Sequence, residues 1–531
     1  MSEIESGAMK KATELLTAAE MRAIETAAMD SGAVSGIELM ERAGAAVVAA
    51  VEEGWPQLAR GAFRVVVLCG PGNNGGDGFV IARLLRERGC EVELYLLGEA
   101  VGLPRDAQAN CDRWREMGAV QPWPAKLDGQ ADLYVDAVFG AGLSRPVGER
   151  VVAPLAGVPP ERIVAVDAPT GLCMDSGRVL GSAVSAAVTV TFHAPRPGHY
   201  LADGPAHCGR VICSSIGLRG EGPRRAVRVD APLVPVLKSA DGHKYSHGHA
   251  LVLSGGSGRT GAARLTARGA LRIGAGLVTL GVPGAAQLEV AAQSTGVMLT
   301  RVDGPEAFSK VLEDERINAL CLGPGLGRDR ARSLVPVALE AGTRRAVVLD
   351  ADALSAFADA PDALFARLHP GCVLTPHGGE FARLFPDPAK QLAEEPARGP
   401  ALSRLDVARA AAERAGCTVL LKGPDTVIAR PDGMCAVNAA RYARSVPWLA
   451  TAGAGDVLAG FIAGLMARGA DAFGAAATAA WLHVECALQF GPGLIAEDLP
   501  ESLPAVLRQL DQAAGRIRAG SAAEESSTPL Q

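Results

Sequence analysis

The stretch Thr451-Ala452-Gly453-Ala454-Gly455-Asp456 runs straight into the apolar segment Val457 to Met466. Small residues let backbone N–H groups crowd around an anion, a following helix aims its positive end at the same point, and one carboxylate stands at the junction. Such a cradle suits a phosphate with a base beside it. Asp456, kept ionised by the helix N-terminus, would accept a proton from a hydroxyl; the amides of Gly453, Ala454 and Gly455, with Mg2+, would meet the charge on a transferring phosphoryl group. A glycine-rich helix start without chemistry is the plain alternative for this segment taken alone. No Gly-x-x-x-x-Gly-Lys-[Ser/Thr] occurs in the chain, so phosphoryl chemistry must use another cradle. Upstream, strand ends carry Gly323-Pro324-Gly325-Leu326-Gly327, Asp350-Ala351-Asp352, Thr375-Pro376-His377-Gly378-Gly379-Glu380 and Lys422-Gly423-Pro424-Asp425-Thr426. His377 has two readings, a hydrogen bond to a substrate edge or a turn histidine satisfied by backbone.

The first half carries a different set. Gly70-Pro71-Gly72-Asn73-Asn74-Gly75-Gly76-Asp77-Gly78 formally contains Gly-x-Gly-x-x-Gly, but a dinucleotide loop offers bare backbone to a pyrophosphate. This one adds two amides and a carboxylate, groups suited to a neutral or cationic partner. Asp136 to Leu143 and Asp167-Ala168-Pro169-Thr170-Gly171 follow two later strands, and in an open parallel sheet such loops meet at the carboxyl edge. Three oxygen-bearing loops converging there make a pocket for a monovalent cation and a nucleotide. Taken singly, Asp136 and Asp167 also read as simple turn caps.

The elements that must position these loops alternate as in an α/β chain. Thr17-Ala18-Ala19-Glu20 and Ser35-Gly36-Ile37-Glu38 have capping-box spacing and predict two leading helices. Strands are expected at Arg64 to Cys69, Glu91 to Leu97, Ala131 to Val138 and Arg162 to Asp167, with a helix from Phe79 to Arg88. Irregular composition between Gly217 and Lys244 places a boundary near Asp230, giving domains at 10–230 and 231–512. A second alternation follows with strands at Ala250 to Leu253, Leu320, Ala346 to Leu349, Cys372 to Leu374 and Thr418 to Leu421. Asp387 to Ser403 reads as a mobile connection and 513–531 as a disordered tail. Gly274 and Gly276, in a helix of the second half, read as packing residues.

At 531 residues the chain exceeds what one core organises, and 48% hydrophobic content with 63 glycines and 4% aromatics fits alanine-rich helices and tight turns. A net charge of −6 with scattered Lys and Arg gives no footprint for nucleic acid. Eleven cysteines, an odd number without a Cys-x-x-Cys pair, suit a reducing compartment and offer no metal spacing. The acidic start Met1 to Glu5 lacks signal-peptide character, and the most apolar segment, Val457 to Met466, is too short for a membrane span. A cytoplasmic protein is expected, without membrane or nucleic-acid partners, and a homo-oligomer.

In the first half, Leu39-Met40-Glu41-Arg42-Ala43-Gly44, Gly72 to Gly78, Asp136 to Gly142 and Asp167 to Gly171 together resemble the NAD(P)H-hydrate epimerase family over residues 10 to 225. The resemblance implies a Rossmann-like three-layer sandwich that interconverts the R and S forms of NADH and NADPH hydrated at the nicotinamide ring. By position, Asn73, Asn74, Gly75, Gly76, Asp77, Gly140, Ala141, Gly142, Leu143, Ser144, Arg145, Pro146 and Asp167 resemble its hydrate-binding residues, and Asn74, Asp136 and Thr170 its K+ ligands. Thr170 stands where the family often has Ser. Asp167, the motif acid assigned neither to the cation nor to the glycine segment, is expected to handle the proton that labilises the ring hydroxyl.

The loops of residues 235 to about 510 resemble the ADP- or ATP-dependent NAD(P)H-hydrate dehydratase family, which implies a ribokinase-like α/β fold. Ala262, Gly325, His377 and Asp456 resemble its hydrate-binding residues; Lys422, Gly423, Pro424, Asp425, Thr426 and Gly455 resemble its nucleotide-binding ones. Two departures stand out: Ala452-Gly453-Ala454-Gly455-Asp456 replaces the usual Gly-Gly-Thr-Gly-Asp, and Gly378-Gly379-Glu380 replaces Pro-Gly-Glu. Fused in this order, the halves imply a bifunctional repair enzyme using ADP or ATP, with Mg2+ and K+. The alternative is a ribokinase-like small-molecule kinase fused to a non-catalytic binding module.

Overall fold

The computed structural model describes residues 12–60, 63–220, 222–223, 225–238, 243–340 and 345–525. Met1 to Glu5, part of the irregular stretch near 221–242 and the end of the tail from 526 lie outside these residues. The chain forms two compact units, one of residues 14–227 with 392–406, the other of 1–13, 228–391 and 407–531.

In the unit of residues 14–227, both expected capping boxes form. Thr17 heads the helix Ala18–Asp30 and Ser35 the helix Gly36–Gly54, each trading bonds with the glutamate three residues on. Seven parallel strands lie in the spatial order Val120–Pro122, Glu91–Leu96, Arg64–Cys69, Leu133–Ala137, Ile163–Val166, Val188–Phe192, Arg210–Ser214. Both sheet faces are covered. Val65, Val67 and Cys69 enter one core with Phe79 and Val48, while Val66, Leu68 and Tyr134 enter another with Leu155. The period of two splits a continuous apolar run between two layers, and burying each Val or Leu contributes about 1.5–3 kcal/mol. The three-layer expectation is met.

The segment 392–406 packs into this same unit. Gly399 N–H donates to Ser144 O at 3.0 Å, Ala401 N–H to Cys173 Sγ at 3.3 Å, and Ala401 joins Leu143, Cys173 and Leu180 in a small apolar cluster. The reading of 387–403 as a mobile connection is therefore corrected: the helix Pro386–Ala393 opens the stretch, and tertiary contacts hold what local composition leaves undefined.

The other unit is built on a sheet ordered Ala12–Glu14, Ala226–Val229, Cys435–Ala439, Asp425–Ala429, Thr418–Leu421, Cys372–Leu374, Ala346–Leu349, Ala319–Leu322, His249–Leu253, Leu277–Val282, Met298–Arg301. Pairing is parallel from Thr418–Leu421 through to Met298–Arg301 and antiparallel where Asp425–Ala429 meets its two neighbours. The apolar run after Asp456 becomes the buried helix Ala454–Ala467, packed on Gly261–Arg272. A Cβ on Gly460 would stand 2.1 Å from Thr266 O, so the two helices touch backbone to backbone. Among the described residues no helix is long and apolar enough to cross a membrane. Ten of the eleven cysteines are buried and Cys213 is exposed, as small apolar fillers should be. The final helix, Asp498–Glu525, continues through most of the segment expected to be a disordered tail, where Ala, Arg and Glu are good helix formers.

Candidate active sites

In the seven-stranded sheet, chain order reverses between Arg64–Cys69 and Leu133–Ala137, and a crevice opens at the carboxyl ends of such a pair. The loops leaving those strands carry the expected residues. The Asn-Asn-Gly-Gly-Asp stretch is not a loop, however: the helix begins at Asn73, not Phe79, with Gly72 as N-cap. A Cβ on Gly75 would lie 1.9 Å from Gly70 O, and one on Gly76 2.9 Å from Met40 Sδ, so these two glycines serve packing. Asn73, Asn74 and Asp77 remain as its polar groups.

A Cβ on Gly140 would stand 2.9 Å from Asn74 Oδ1 and 3.0 Å from Asp167 Oδ2, so three of the predicted segments meet there. Asp167 sits in left-handed backbone at φ 63, a conformation that costs of order 1–3 kcal/mol for a non-glycine residue and clusters at functional sites. Its Oδ2 accepts from Ala141 N–H at 2.8 Å and its Oδ1 from Thr191 Oγ1 at 2.9 Å. Asp77 is driven well above the usual carboxylate range by burial, then by the charges of Asp167 and Glu25. Leu143 packs into the cluster with Cys173, Leu180 and Ala401, while Ser144, Arg145 and Pro146 are exposed.

Asp136 is fully buried beneath this crevice. Its carboxylate accepts from Thr170 N–H at 2.8 Å and Thr170 Oγ1 at 2.7 Å, and Thr170 Oγ1 in turn accepts from Phe139 N–H at 3.1 Å. Burial raises Asp136 to about 6 against these bonds. Asn74 Nδ2 is buried with no hydrogen-bond partner. A buried carboxylate, a hydroxyl and an amide oxygen form a hard oxygen donor set, and the raised carboxyl marks negative charge that a cation would compensate.

In the larger sheet, order reverses between His249–Leu253 and Ala319–Leu322. Glu289 clips the loop after the first of these strands, accepting from Ser257 Oγ at 3.1 Å, Gly258 N–H at 2.7 Å and Thr260 Oγ1 at 2.5 Å. Ala262 lies in the first turn of the helix that follows; a Cβ on Gly325 would stand 3.2 Å from Ala262 Cβ. Thr266 Oγ1 donates to Asp456 O at 2.9 Å, tying the two helix starts together. Gly453, at φ 89, is the N-cap that lets the chain turn into Ala454–Ala467.

Lys422 Nζ pairs with the buried Asp350 at 2.7 Å, and a Cβ on Gly455 would stand 3.4 Å from that ammonium. Burial opposes the Lys422 charge most strongly, but Asp350, Glu380 and Asp456 together outweigh it and raise Lys422. Thr426 Oγ1 donates to Gly423 O at 2.7 Å and closes the turn between them. A cavity of about 540 Å3 gathers His377, Lys422, Gly423, Pro424, Thr426 and Gly455; Asp425, buried in its strand, does not line it, nor do Ala262, Gly325 or Asp456. A second groove, of about 780 Å3, lined by Glu20, Arg42 and residues 217–220, holds none of the expected catalytic, hydrate-binding, nucleotide-binding or cation-binding residues.

Two expectations change. The helix start does not hold Asp456 at a low pKa: burial first, then Asp350 and Asp352, lift it to about 6 against the pull of Lys422, which still leaves it mostly ionised at neutral pH. His377 takes the reading of a turn histidine satisfied by backbone, capping the helix Gly378–Leu384 by accepting from Gly379 N–H at 3.0 Å, and it also lines the cavity.

The family model of NAD(P)H-hydrate dehydratase matches residues 250–504, and that of the YjeF-related protein N-terminus matches 36–198. The bifunctional NAD(P)H-hydrate repair enzyme Nnr of Moorella thermoacetica is 36% identical, over 94% of this chain and 97% of its own length. That of Coxiella burnetii is 35% identical over 90% and 96%. The chain belongs to the bifunctional NAD(P)H-hydrate repair enzymes. The NAD(P)H-hydrate epimerase of Rhodobacter capsulatus is 51% identical over 35% of this chain and 92% of its own. A solved ADP/ATP-dependent NAD(P)H-hydrate dehydratase of Bacillus subtilis, co-crystallised with ATP and Mg2+, is 29% identical over 53% of this chain and 96% of its own, at a TM-score of 0.43.

Several polar groups at the two sites of this repair enzyme escape motif reading. Glu25, Thr191, Arg196 and His199 gather around Asp167, with Arg22 acting on Glu25, and only the three-residue spacing of Arg22 and Glu25 on one helix offers a sequence signal. In the other unit, His483 Nε2–H donates to Ala454 O at 2.8 Å, and burial lowers this histidine to about 4, so a neutral ring supports the cradle. Asn438 lines the same cavity and holds Ala480 O at 2.8 Å. Lone residues in apolar strands and helices carry no spacing signal.

Proposed function

We propose that this chain restores hydrated NADH and NADPH in two steps, one in each unit. The unit of residues 14–227 interconverts the R and S hydrates, and the other dehydrates the S form at the expense of ADP or ATP. The observation that carries the reading is that, in each sheet, the strands at the point of reversed order lead into family motif residues, Asn74 and Gly140 in one, Ala262 and Gly325 in the other.

In the epimerase unit, Asp167 moves the proton at the ring hydroxyl. Loss of that hydroxyl as water, pushed by the ring nitrogen, and return of water to the other face inverts the centre; Ala141 N–H and Thr191 fix the carboxylate for both transfers. Asn74, Asp136 and Thr170 would hold K+, which supplies a fixed positive charge beneath the nucleotide-binding loops. In the dehydratase unit, Asp456 takes the proton from the same ring hydroxyl as it attacks the terminal phosphate. Lys422, Gly423, Pro424, Thr426 and the helix start at Ala454 receive the nucleotide and the developing charge, while Ala262, Gly325 and His377 orient the hydrate. With AMP or ADP released as the leaving group of that transfer, the ring nitrogen then expels phosphate to give an iminium, and loss of a proton from the adjacent ring carbon restores the dihydropyridine. Mg2+ would neutralise the nucleotide's phosphates.

Purified protein given both hydrate epimers with ADP or ATP should regain the reduced-nicotinamide absorbance for the whole mixture. A stable phosphorylated product without that return would instead mark a small-molecule kinase.

A further inference from the structure

Arg196 is 3% exposed, deep in the epimerase unit, yet its charge is only partly spent. One Nη donates to Ala194 O, the other lies 3.7 Å from Asp167 Oδ1, and Nε has no hydrogen-bond partner. A guanidinium buried for stability would place its fork squarely on a carboxylate, because an unpaired buried donor is costly. This one is held back from the acid it faces.

The backbone around the pair is built to keep that arrangement. Asp167 and His193 each leave the end of neighbouring parallel strands in left-handed conformation, at φ 63 and 64. Asp167 N–H donates to Val190 O at 2.7 Å. The His199 ring then bridges the two segments: Nδ1 accepts from Arg196 N–H at 2.9 Å and Nε2 stands 3.3 Å from Asp167 O. Thr191 donates to one oxygen of the carboxylate and Ala141 N–H to the other, leaving each with a free acceptor direction. Glu25 and Asp77 bring two more acids toward Asp167, and Arg22 and Arg196 are the cations that act on Glu25.

We infer that Arg196 is a positioning residue of the epimerisation, its buried guanidinium holding the Asp167 carboxylate in the direction needed to pass a proton to and from the substrate's ring hydroxyl. This rests on the reading of Asp167 as the proton-handling group. Arg196 takes part through charge and direction and makes no contact with the ring.

The test compares Arg196→Met, Arg196→Gln and Arg196→Lys in the full chain, with Asp167→Asn as reference. Each is assayed for kcat and KM of epimerisation and for nucleotide-dependent dehydration. A positioned acid–base group is worth about 100-fold or more, so the Met and Gln variants should lose kcat by about that factor with KM little changed, while dehydration continues. Arg196→Lys should recover kcat to within about tenfold, because it returns the charge without the fork. Should Met fail to fold, Gln reads the same outcome with a polar end in place. Wild-type kcat in a folded Met or Gln variant, or a Lys variant no better than these, overturns the inference. Undiminished epimerisation by Asp167→Asn would instead overturn the underlying reading of the acid, and is distinguishable because it leaves the Arg196 comparison standing.

Discussion

At the scale of single residues, Asp456 does its work at an energetic cost to the fold. Its carboxyl is raised to about 6 from 3.8 chiefly by burial, so the folded chain binds that proton more tightly than the unfolded chain does. The ionised form therefore destabilises the ligand-free protein at neutral pH, and the penalty fades as pH falls through about 6 toward 4. Asp456→Asn should abolish dehydration while raising the unfolding free energy at pH 7 by about 1–3 kcal/mol, read by denaturant titration. The same shift sets the pH dependence of the reaction: kcat/KM for dehydration should be flat above pH 6 and fall about tenfold per unit below it, as the base is protonated. Asp136 carries the analogous prediction for the other unit. Asp136→Asn keeps the size of the side chain but loses the buried charge and one of the two oxygens that accept from Thr170 and Val138, and should remove any stimulation of epimerisation by K+ across a KCl titration at constant ionic strength.

At the scale of elements, the site depends on how closely a helix start approaches a strand end. Gly75→Ala would drive a methyl to within 1.9 Å of Gly70 O, so the helix Asn73–Glu87 must shift. We expect a loss of about 1–3 kcal/mol of stability and most of the epimerase rate, with dehydration intact in the same sample. Strands such as Arg64–Cys69 and the capped helices after Thr17 and Ser35 were legible, because apolar runs and capping spacing act locally. The start of Asn73–Glu87 was not: Asn-Asn-Gly-Gly is turn-like by propensity, and packing on Met40, Ala107 and Gly70 overrides it. Asp456 shows the same limit from the side of charge. The helix that follows it is visible in the sequence, whereas Asp350 and Asp352 reach it only through the fold. Arg196 belongs to no motif at all, and 392–406 lacks periodicity because its order comes from Ser144 and Cys173.

At the scale of the whole molecule, the account's central claim is that two separate sites act in sequence on one damaged coenzyme. The relatives that match most of this chain are named as bifunctional NAD(P)H-hydrate repair enzymes, and the Rhodobacter capsulatus epimerase matches over 35% of it. The activities should therefore separate cleanly and complement in trans. Equal amounts of Asp167→Asn and Asp456→Asn chains, mixed, should repair both epimers although neither does so alone. The most direct measurement follows reduced-nicotinamide absorbance when Asp167→Asn receives a known mixture of R and S hydrates with ATP. The account predicts a fast phase whose amplitude equals the S fraction, then a slow remainder that added Asp456→Asn protein accelerates. Full recovery in one fast phase by Asp167→Asn, or a remainder indifferent to the second protein, would contradict it.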